Sequence, residues 1–465
     1  MNTLLNLITI CLAFALVAIS ERFAAAGDDI YCARYARNAV AQNEENISKQ
    51  CGLTGPRWHS DHNHHSAWCI KVSGNLAGAE NQARLQALNR CAGWEISAHD
   101  RCEGYSTVAM HQNHLAQGCG LSGPRWHSDY GPHYRWCMKV HEFHAHWEEV
   151  QRQRGLESCK NISWPLPSKR YFKYLWAYPD NEETSYSGEY ENNVQGITHD
   201  SSNWFISQTS DLWKIPHQHD LLHVNDSKQY PGVIHRRLSD IVSRMSPGYW
   251  HLGDISHFLR YVIAPIEGNC PNPPSNCPVP HAIVLLKADD LRYVSHAVLP
   301  KYKSLGWVAV NPEGYIYVSN DFTADLDAYH VNWSEIPKKQ LRLRPAGVLR
   351  LLDENGAALQ LGHVQGGVFS ESGHLLYMLS GIHNEHEANE GVNVFDTKTR
   401  KRVGRLHYPF SPGGTSQDEP EGITVWDIAR FAPGVGGQLH VGMVDNDSGW
   451  IWSDDDDFTL YHYGE

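Results

Sequence analysis

The chain has no CxxC pair among its 11 cysteines, no Gly-x-Ser-x-Gly elbow, no HExxH helix and no glycine loop of the phosphate-cradling type. Those absences argue against a thiolate zinc site and exclude the Gly-x-Ser-x-Gly serine hydrolases, the HExxH zincins and a phosphate cradle of the glycine-loop type. Basic residues are also in short supply: 39 Lys+Arg against 52 Asp+Glu give a formal net charge of −13. The deficit is uneven, because residues 27–169 hold 15 basic and 14 acidic side chains while residues 170–465 hold 23 against 37, a net of −14. Such a chain offers no basic stripe to nucleic acid or anionic lipid, which leaves cations and neutral ligands such as sugars as partners. Long apolar runs occur in one place only. "LLNLITICLAFALVAIS" followed by "RFAAAGDD" reads as a signal peptide cleaved after Ala26. Its amino end carries no Lys or Arg, so an uncleaved anchor is the alternative. No later segment has spanning length, and the mature chain is expected to be secreted or periplasmic, without a transmembrane domain.

Cys11 lies inside the signal, which leaves ten cysteines in the mature chain: Cys32, Cys51, Cys69, Cys91, Cys102, Cys119, Cys137, Cys159, Cys270 and Cys277. An even number in an exported chain favours disulfides. Eight of them belong to a duplication. "CGLTGPRWHSDHNHHSAWC" from Cys51 returns as "CGLSGPRWHSDYGPHYRWC" from Cys119, a shift of 68 residues that also carries Cys91 onto Cys159. Upstream the shift is 70 and aligns Cys32, Tyr35, Ala39, Gln42 and Asn43 with Cys102, Tyr105, Ala109, Gln112 and Asn113. Each module, residues 27–95 and 96–160, reads as mainly α and owns four cysteines, with three pairings open in each. Modules this small need their disulfides, since a hydrophobic core of about 60 residues is marginal.

After the proline-bearing linker 161–169, the pattern changes to short β runs separated by turns. Groups begin at Val194, Leu252, Leu305, Val364 and Pro420, with intervals of 58, 53, 59 and 56 residues. Four strands per group at a near-constant period indicate a β-propeller over residues 170–465. Five blades are expected, with "RYFKYLWAYP" from Arg170 completing the last one. Six blades are the alternative if residues 170–193 do more than close the ring.

At "PEGITVWD" and "VQGITHD" the propeller resembles calcium-dependent gluconolactonase-like and strictosidine-synthase-like propellers, whose first strands open with Glu-Gly. Glu421 with Gly422 matches that opening, while Gln195 with Gly196 and Gln365 with Gly366 keep the glycine and replace the carboxylate. The resemblance implies a metal on the ring axis. It also implies six blades, one more than the strand groups count.

Innermost strands converge on a propeller axis, so Gln195, Gln365 and Glu421, each ahead of a repeated glycine, are expected to meet there. Asp254, one position later in its own group, joins them. Two carboxylates and two amide oxygens suit calcium, and hydrogen bonding to backbone at the strand openings is the alternative. His199 in "ITHD" and His257 in "ISHF" share a register in neighbouring blades and are the candidate proton carriers, with buried blade contacts as the alternative. In the modules, Trp58, His59, Trp126 and His127 form an aromatic and polar set of the kind that stacks on sugar rings. Trp68 and Trp136, beside cysteines, are expected in the core, and Arg57 is expected to pair with Asp61. The acidic runs "VDNDSG" and "WSDDDDF" read as solvated loops, and "CPNPPSNC" as a loop pinned by Cys270 and Cys277.

These residues read as a secreted binding protein, whose modules attach to a glycan or cell-wall polymer and whose propeller holds a cation or ligand at its axis. The alternative is a calcium-dependent hydrolase or lyase acting on a lactone, ester or polysaccharide at the same axis. An adhesion scaffold without a small-molecule site is the third reading.

Overall fold

Alanine and unbranched polar residues fill Ala25–Ser48, and this segment forms helix α1 in the computed structural model. The structure describes residues 25–48, 53–72, 77–88 in part, 98–160, 172–179, 190 and 193–464, apart from 225–231, 270–277, 382–388, 409–417, 429–431, 446–456 and the single positions 117, 246, 324, 372 and 427. Residues 1–24 of the signal segment, the middle of the acidic runs (446–449 and 452–456) and Cys51, Cys91, Cys270 and Cys277 lie outside the described residues. The ends of those runs, read as solvated loop, belong instead to strands: Val444–Asp445 pair with Asp457–Phe458, and Val444 and Phe458 are buried. Residues 1–162 and 163–465 form two separate compact units.

In the first unit, Cys32–Cys69 ties α1 to α2 (His62–Lys71), and Cys102–Cys137 ties α3 (Ala98–Leu115) to α4 (Tyr130–Cys137). Cys119–Cys159 holds the turn after α3 to α5 (Glu142–Lys160). The bonds span 37, 35 and 40 residues. At those lengths each removes about 4 kcal/mol of unfolded-chain entropy. No described helix is long and apolar enough to cross a membrane.

The duplicated residues build the same buried network twice. Arg84 donates from Nε to Gln42 Oε1 at 2.7 Å and from Nη1 to the Tyr35 hydroxyl at 2.9 Å. Arg152 makes the same bonds to Gln112 at 2.7 Å and Tyr105 at 2.9 Å. Both arginines are fully buried over the tyrosine ring they bond. Arg57 pairs with Glu80 at 2.7 Å rather than with Asp61, and Arg125 likewise with Glu148 at 2.6 Å. Asp61 instead caps α2 by accepting from the His64 amide. Asn46 opens "NIS", an Asn-x-Ser glycosylation sequon, and is buried with both ends of its amide on the Leu53 backbone, which closes it to glycosylation in the folded module.

The second unit is a five-bladed propeller, and this excludes the six-bladed alternative. Blade 1 is β2 (Val194–His199), β3 (Asn203–Gln208), β4 (Asp211–Pro216) and β5 (Ile234–Arg237), in that order from the axis outward. Blade 2 splits its innermost strand into β6 (Tyr249–Leu252) and β7 (Ser256–Phe258), both paired with β8 (Tyr261–Gly268), and continues through β9 (Ala282–Lys287) and β10 (Tyr293–Val298). Blade 3 is β11 (Ala309–Val310), β12 (Ile316–Val318), β13 (Asp325–His330) and β14 (Arg344–Arg350). Blade 4 is β15 (Gly366–Phe369), β16 (Leu375–Ser380), β17 (Gly391–Asp396) and β18 (Arg402–Leu406).

Blade 5 takes β19 (Asp418–Val425), β20 (Leu439–Asp445) and β21 (Asp457–Gly464) from the end of the chain. Its outer strand is β1 (Lys173–Ala177), which pairs Lys173 with Gly464 and Ala177 with Tyr461. The ring is therefore closed by joining the two ends of the propeller sequence, which leaves the circle of blades without a gap. Cores fill the spaces between neighbouring blades, as where Trp204, Ile206 and Trp213 of blade 1 meet Trp426, Val444 and Phe458 at blade 5. Behind that contact His440 and His462 meet Nδ1 to Nδ1 at 2.8 Å, each with Nε2 on a backbone carbonyl, of Trp426 and Tyr178 respectively. Burial holds both imidazoles below the usual histidine range.

Candidate ligand site at the propeller axis

The break between β6 and β7 puts Asp254 on the axis, with no exposed surface. Its amide donates to Gly306 O at 2.7 Å and its carbonyl accepts from Val308 at 3.1 Å, which stitches blade 2 to blade 3. Oδ1 accepts from the Ile197 amide of blade 1 at 3.2 Å, and the amides of Ile255, Gly367 and Ile423 also face the carboxylate. The repeated glycines make this convergence possible. A Cβ on Gly253 would stand 1.9 Å from Gly306 O, and one on Gly196 2.4 Å from Asp254 Cα. A Cβ on Gly366 would stand 2.6 Å from Asp254 Oδ2. Burial pushes the Asp254 carboxyl well above the ordinary range, against the pull of the four amides. Oδ2 itself has no partner at hydrogen-bond distance.

Glu421 and Gln365 stand beside it. Gln365 Nε2 donates to Glu421 Oε1 at 3.1 Å, across blades 4 and 5. The glutamate is 5% exposed, and burial, then repulsion from Glu419 and Asp254, raises its pKa well above the ordinary range. Asp321 is raised too, by burial and then by Glu267. Gln365 Oε1 and Asp321 Oδ1 border one small space at Gly306, lying 3.9 and 4.0 Å from where a Cβ would be. Among the described residues, neither Asp254 nor Glu421 pairs with a lysine or arginine, and no three His, Cys, Asp or Glu side chains are gathered into a metal-holding group.

Gln195 turns to different work. Its Oε1 accepts from His251 Nε2 at 2.6 Å, and His251 Nδ1 lies 3.3 Å from Glu267 Oε2. Glu267 Oε1 accepts from the Leu305 amide at 2.7 Å, so this chain of contacts crosses blades 1, 2 and 3. Burial would raise the Glu267 carboxyl, but the His251 and Leu305 hydrogen bonds outweigh it and the pKa is lowered. Two aromatic side chains flank these groups: Trp250, 56% exposed with its ring 5.0 Å from His251, and Phe322, 55% exposed with its ring 4.4 Å from His363.

His199 closes the other end of β2, four residues beyond Gln195, about 13 Å along the strand. Its nitrogens meet the Asp200 and Val425 carbonyls at 3.0 and 2.9 Å, and its ring stacks on Trp426 at 4.3 Å. Burial lowers its pKa. His257 lies three residues past Asp254, about 10 Å away, stacked on Phe205. Neither shares the space of the four axial residues. His251, Glu267 and Asp321, which do, were not picked out from the sequence; a histidine three positions before Asp254 in "YWHLGD" was the available signal.

The module residues are engaged locally. Trp58 and Trp126 close the Gly-Pro turns onto Gly55 O and Gly123 O, both at 2.9 Å, and the Trp126 ring lies against Gly155 of α5. Nδ1 of His59 and of His127 accepts from the Asp61 and Asp129 amides. Trp68 and Trp136, expected in the core, lie at its edge against Tyr35 and Tyr105, and Trp136 is 37% exposed.

No protein-family model matches this sequence, and no curated protein matches it. Among solved structures it is similar to a gluconolactonase from Xanthomonas campestris at 13% identity, over 59% of this chain and 86% of that one, with a TM-score of 0.30. A protein of unknown function from Bacteroides caccae matches at 10% identity, over 58% and 84%, with a TM-score of 0.29. The propeller domain of Cps50 (Swd1) from Myceliophteria thermophila matches at 9% identity, over 57% and 68%, with a TM-score of 0.29. At such scores these likenesses carry no argument, and the five blades rest on strand order alone.

Proposed function

We propose that this is an exported ligand-binding protein whose propeller axis holds a cation, with calcium the best fit, and whose paired modules attach it to a glycan or wall polymer. The observation that carries the reading is the pair of buried axial carboxylates, Asp254 and Glu421, which no lysine or arginine of the described residues neutralises. Asp254 Oδ2 carries no hydrogen bond of its own, although four backbone amides face the carboxylate, and Gln365 Oε1 faces the neighbouring space with Asp321. Calcium takes oxygen donors, accepts amides and carbonyls among them, and completes its shell with water. Gln195, committed to His251, falls outside that donor set. For the modules, the half-buried Trp58 and Trp126 and the 37% exposed Trp136 supply the aromatic surface.

A hydrolase or lyase at the same axis is the second reading, favoured by His251 lying between Gln195 and Glu267. There His251, rather than His199 or His257, would move the proton, with Glu267 orienting its ring. A screen of lactones, esters and polysaccharides, with and without chelator, separates the two. A calcium-dependent turnover lost in His251→Gln supports the enzyme; retention of a bound ligand without turnover supports the binding protein.

A further inference from the structure

The propeller is acidic as a whole, yet one of its outer edges is not. From Ile336 to Leu352 the chain carries Lys338, Lys339, Arg342, Arg344 and Arg350 and no acidic residue. Leu341 is buried and its amide donates to Ser295 Oγ at 2.7 Å, which anchors the extended run leading into β14. Alternation then sends Arg342 and Arg344 outward on one side, about 7 Å apart. Both are exposed and border a groove with Asn332, Glu335, Lys339 and Gln340. Glu335 neutralises Lys339 at 2.7 Å, and Asp325 takes Arg350 at 2.7 Å. Arg342 and Arg344 make no side-chain hydrogen bond and no ion pair within 4 Å with a described residue; the acidic group their charge acts on is Glu335, which is itself paired with Lys339.

We infer that this groove on blade 3 binds the carboxylate or sulfate groups of an acidic polysaccharide. Guanidinium forks match both groups bidentately, and Asn332 and Gln340 add amides for neighbouring hydroxyls. The cavity is about 220 Å³, below the range that encloses a whole small ligand, and so it suits one charged group of a longer polymer. The three disulfides among the described residues point to an oxidising compartment, where acidic glycans rather than nucleic acids are the available polyanions. The inference is independent of the axial cation.

The test uses the full-length protein with dextran sulfate, polygalacturonate and neutral dextran as probes. Binding is expected to both acidic polymers and not to dextran, and to weaken as salt is raised. Arg342→Gln with Arg344→Gln is expected to lower affinity about tenfold or more, as loss of two charge-assisted contacts should. Arg292→Glu changes net charge by the same amount on blade 2 and is expected to leave affinity unchanged. Thermal unfolding checks that each variant is folded, and Arg344→Gln alone serves if the double variant is not. Failure to bind either acidic polymer overturns the inference. So does an equal loss in Arg292→Glu, undiminished binding in the arginine variants, or tighter binding to single-stranded DNA or phosphatidylserine vesicles than to both polysaccharides.

Discussion

Replacing Arg152 with alanine removes a fully buried guanidinium and strands two polar groups, Gln112 Oε1 and the Tyr105 hydroxyl, that it bonds at 2.7 and 2.9 Å. An orphaned buried polar group costs about 1–3 kcal/mol, and the guanidinium lying 4.7 Å over Tyr105 adds to the loss. Relief from burying the charge offsets part of this, which leaves a net of about 2–4 kcal/mol. A module of about 60 residues holds only about 3–9 kcal/mol, so the change takes a large share of it. Hydrogen exchange on the intact chain is the assay. Protection in α3 and α5 should fall roughly 30- to 700-fold, with the disulfides intact. Arg84→Ala should do the same to α1, because Gln42 and Tyr35 stand in the matching places. Protection that changes by less than about threefold in either module would refute the view that the duplicated residues are its framework.

Acid should loosen blade 5. Burial lowers His462 to about 4 from an ordinary 6.5, so the unfolded chain takes up the proton first, and the stability is complete above about 6.5 and is lost as pH falls towards 4. The stability gap between wild type and His462→Gln should narrow by roughly 3 kcal/mol between about pH 7 and pH 4, and a gap independent of pH counts against this. Gly253→Ala forces a Cβ to 1.9 Å from Gly306 O and should prevent ring closure, read as loss of a cooperative melt; a melting temperature close to wild type would contradict it. The internal alignment pairs Cys51 with Cys91 as Cys119 pairs with Cys159, and peptide mapping of the non-reduced protein should recover that link.

The propeller was legible because each blade opens with a glycine and repeats its apolar alternation at near-constant spacing, and because "RYFKYLWAYP" had no partners of its own. Convergence of Asp254, Gln365 and Glu421 follows from the same phase. Gln195 has that phase too, but side-chain pairing across blades decides its partner, and nothing local to "VQGITHD" points to His251. His199 and His257 shared a register with each other but lie at the other end of their strands. The pairing of Arg57 with Glu80, 23 residues away, was hidden behind the nearer Asp61, which helix capping had claimed. Net charge concealed the arginines of blade 3 by averaging them with an acidic background.

Calorimetric titration of calcium into the chelator-treated full-length protein tests the axial site most directly. One binding event is expected, accompanied by proton release because the Glu421 carboxyl is raised well above its ordinary range, and lost in Glu421→Gln. Absence of heat together with an unchanged melting temperature in the wild type, or undiminished binding in Glu421→Gln, would contradict the account.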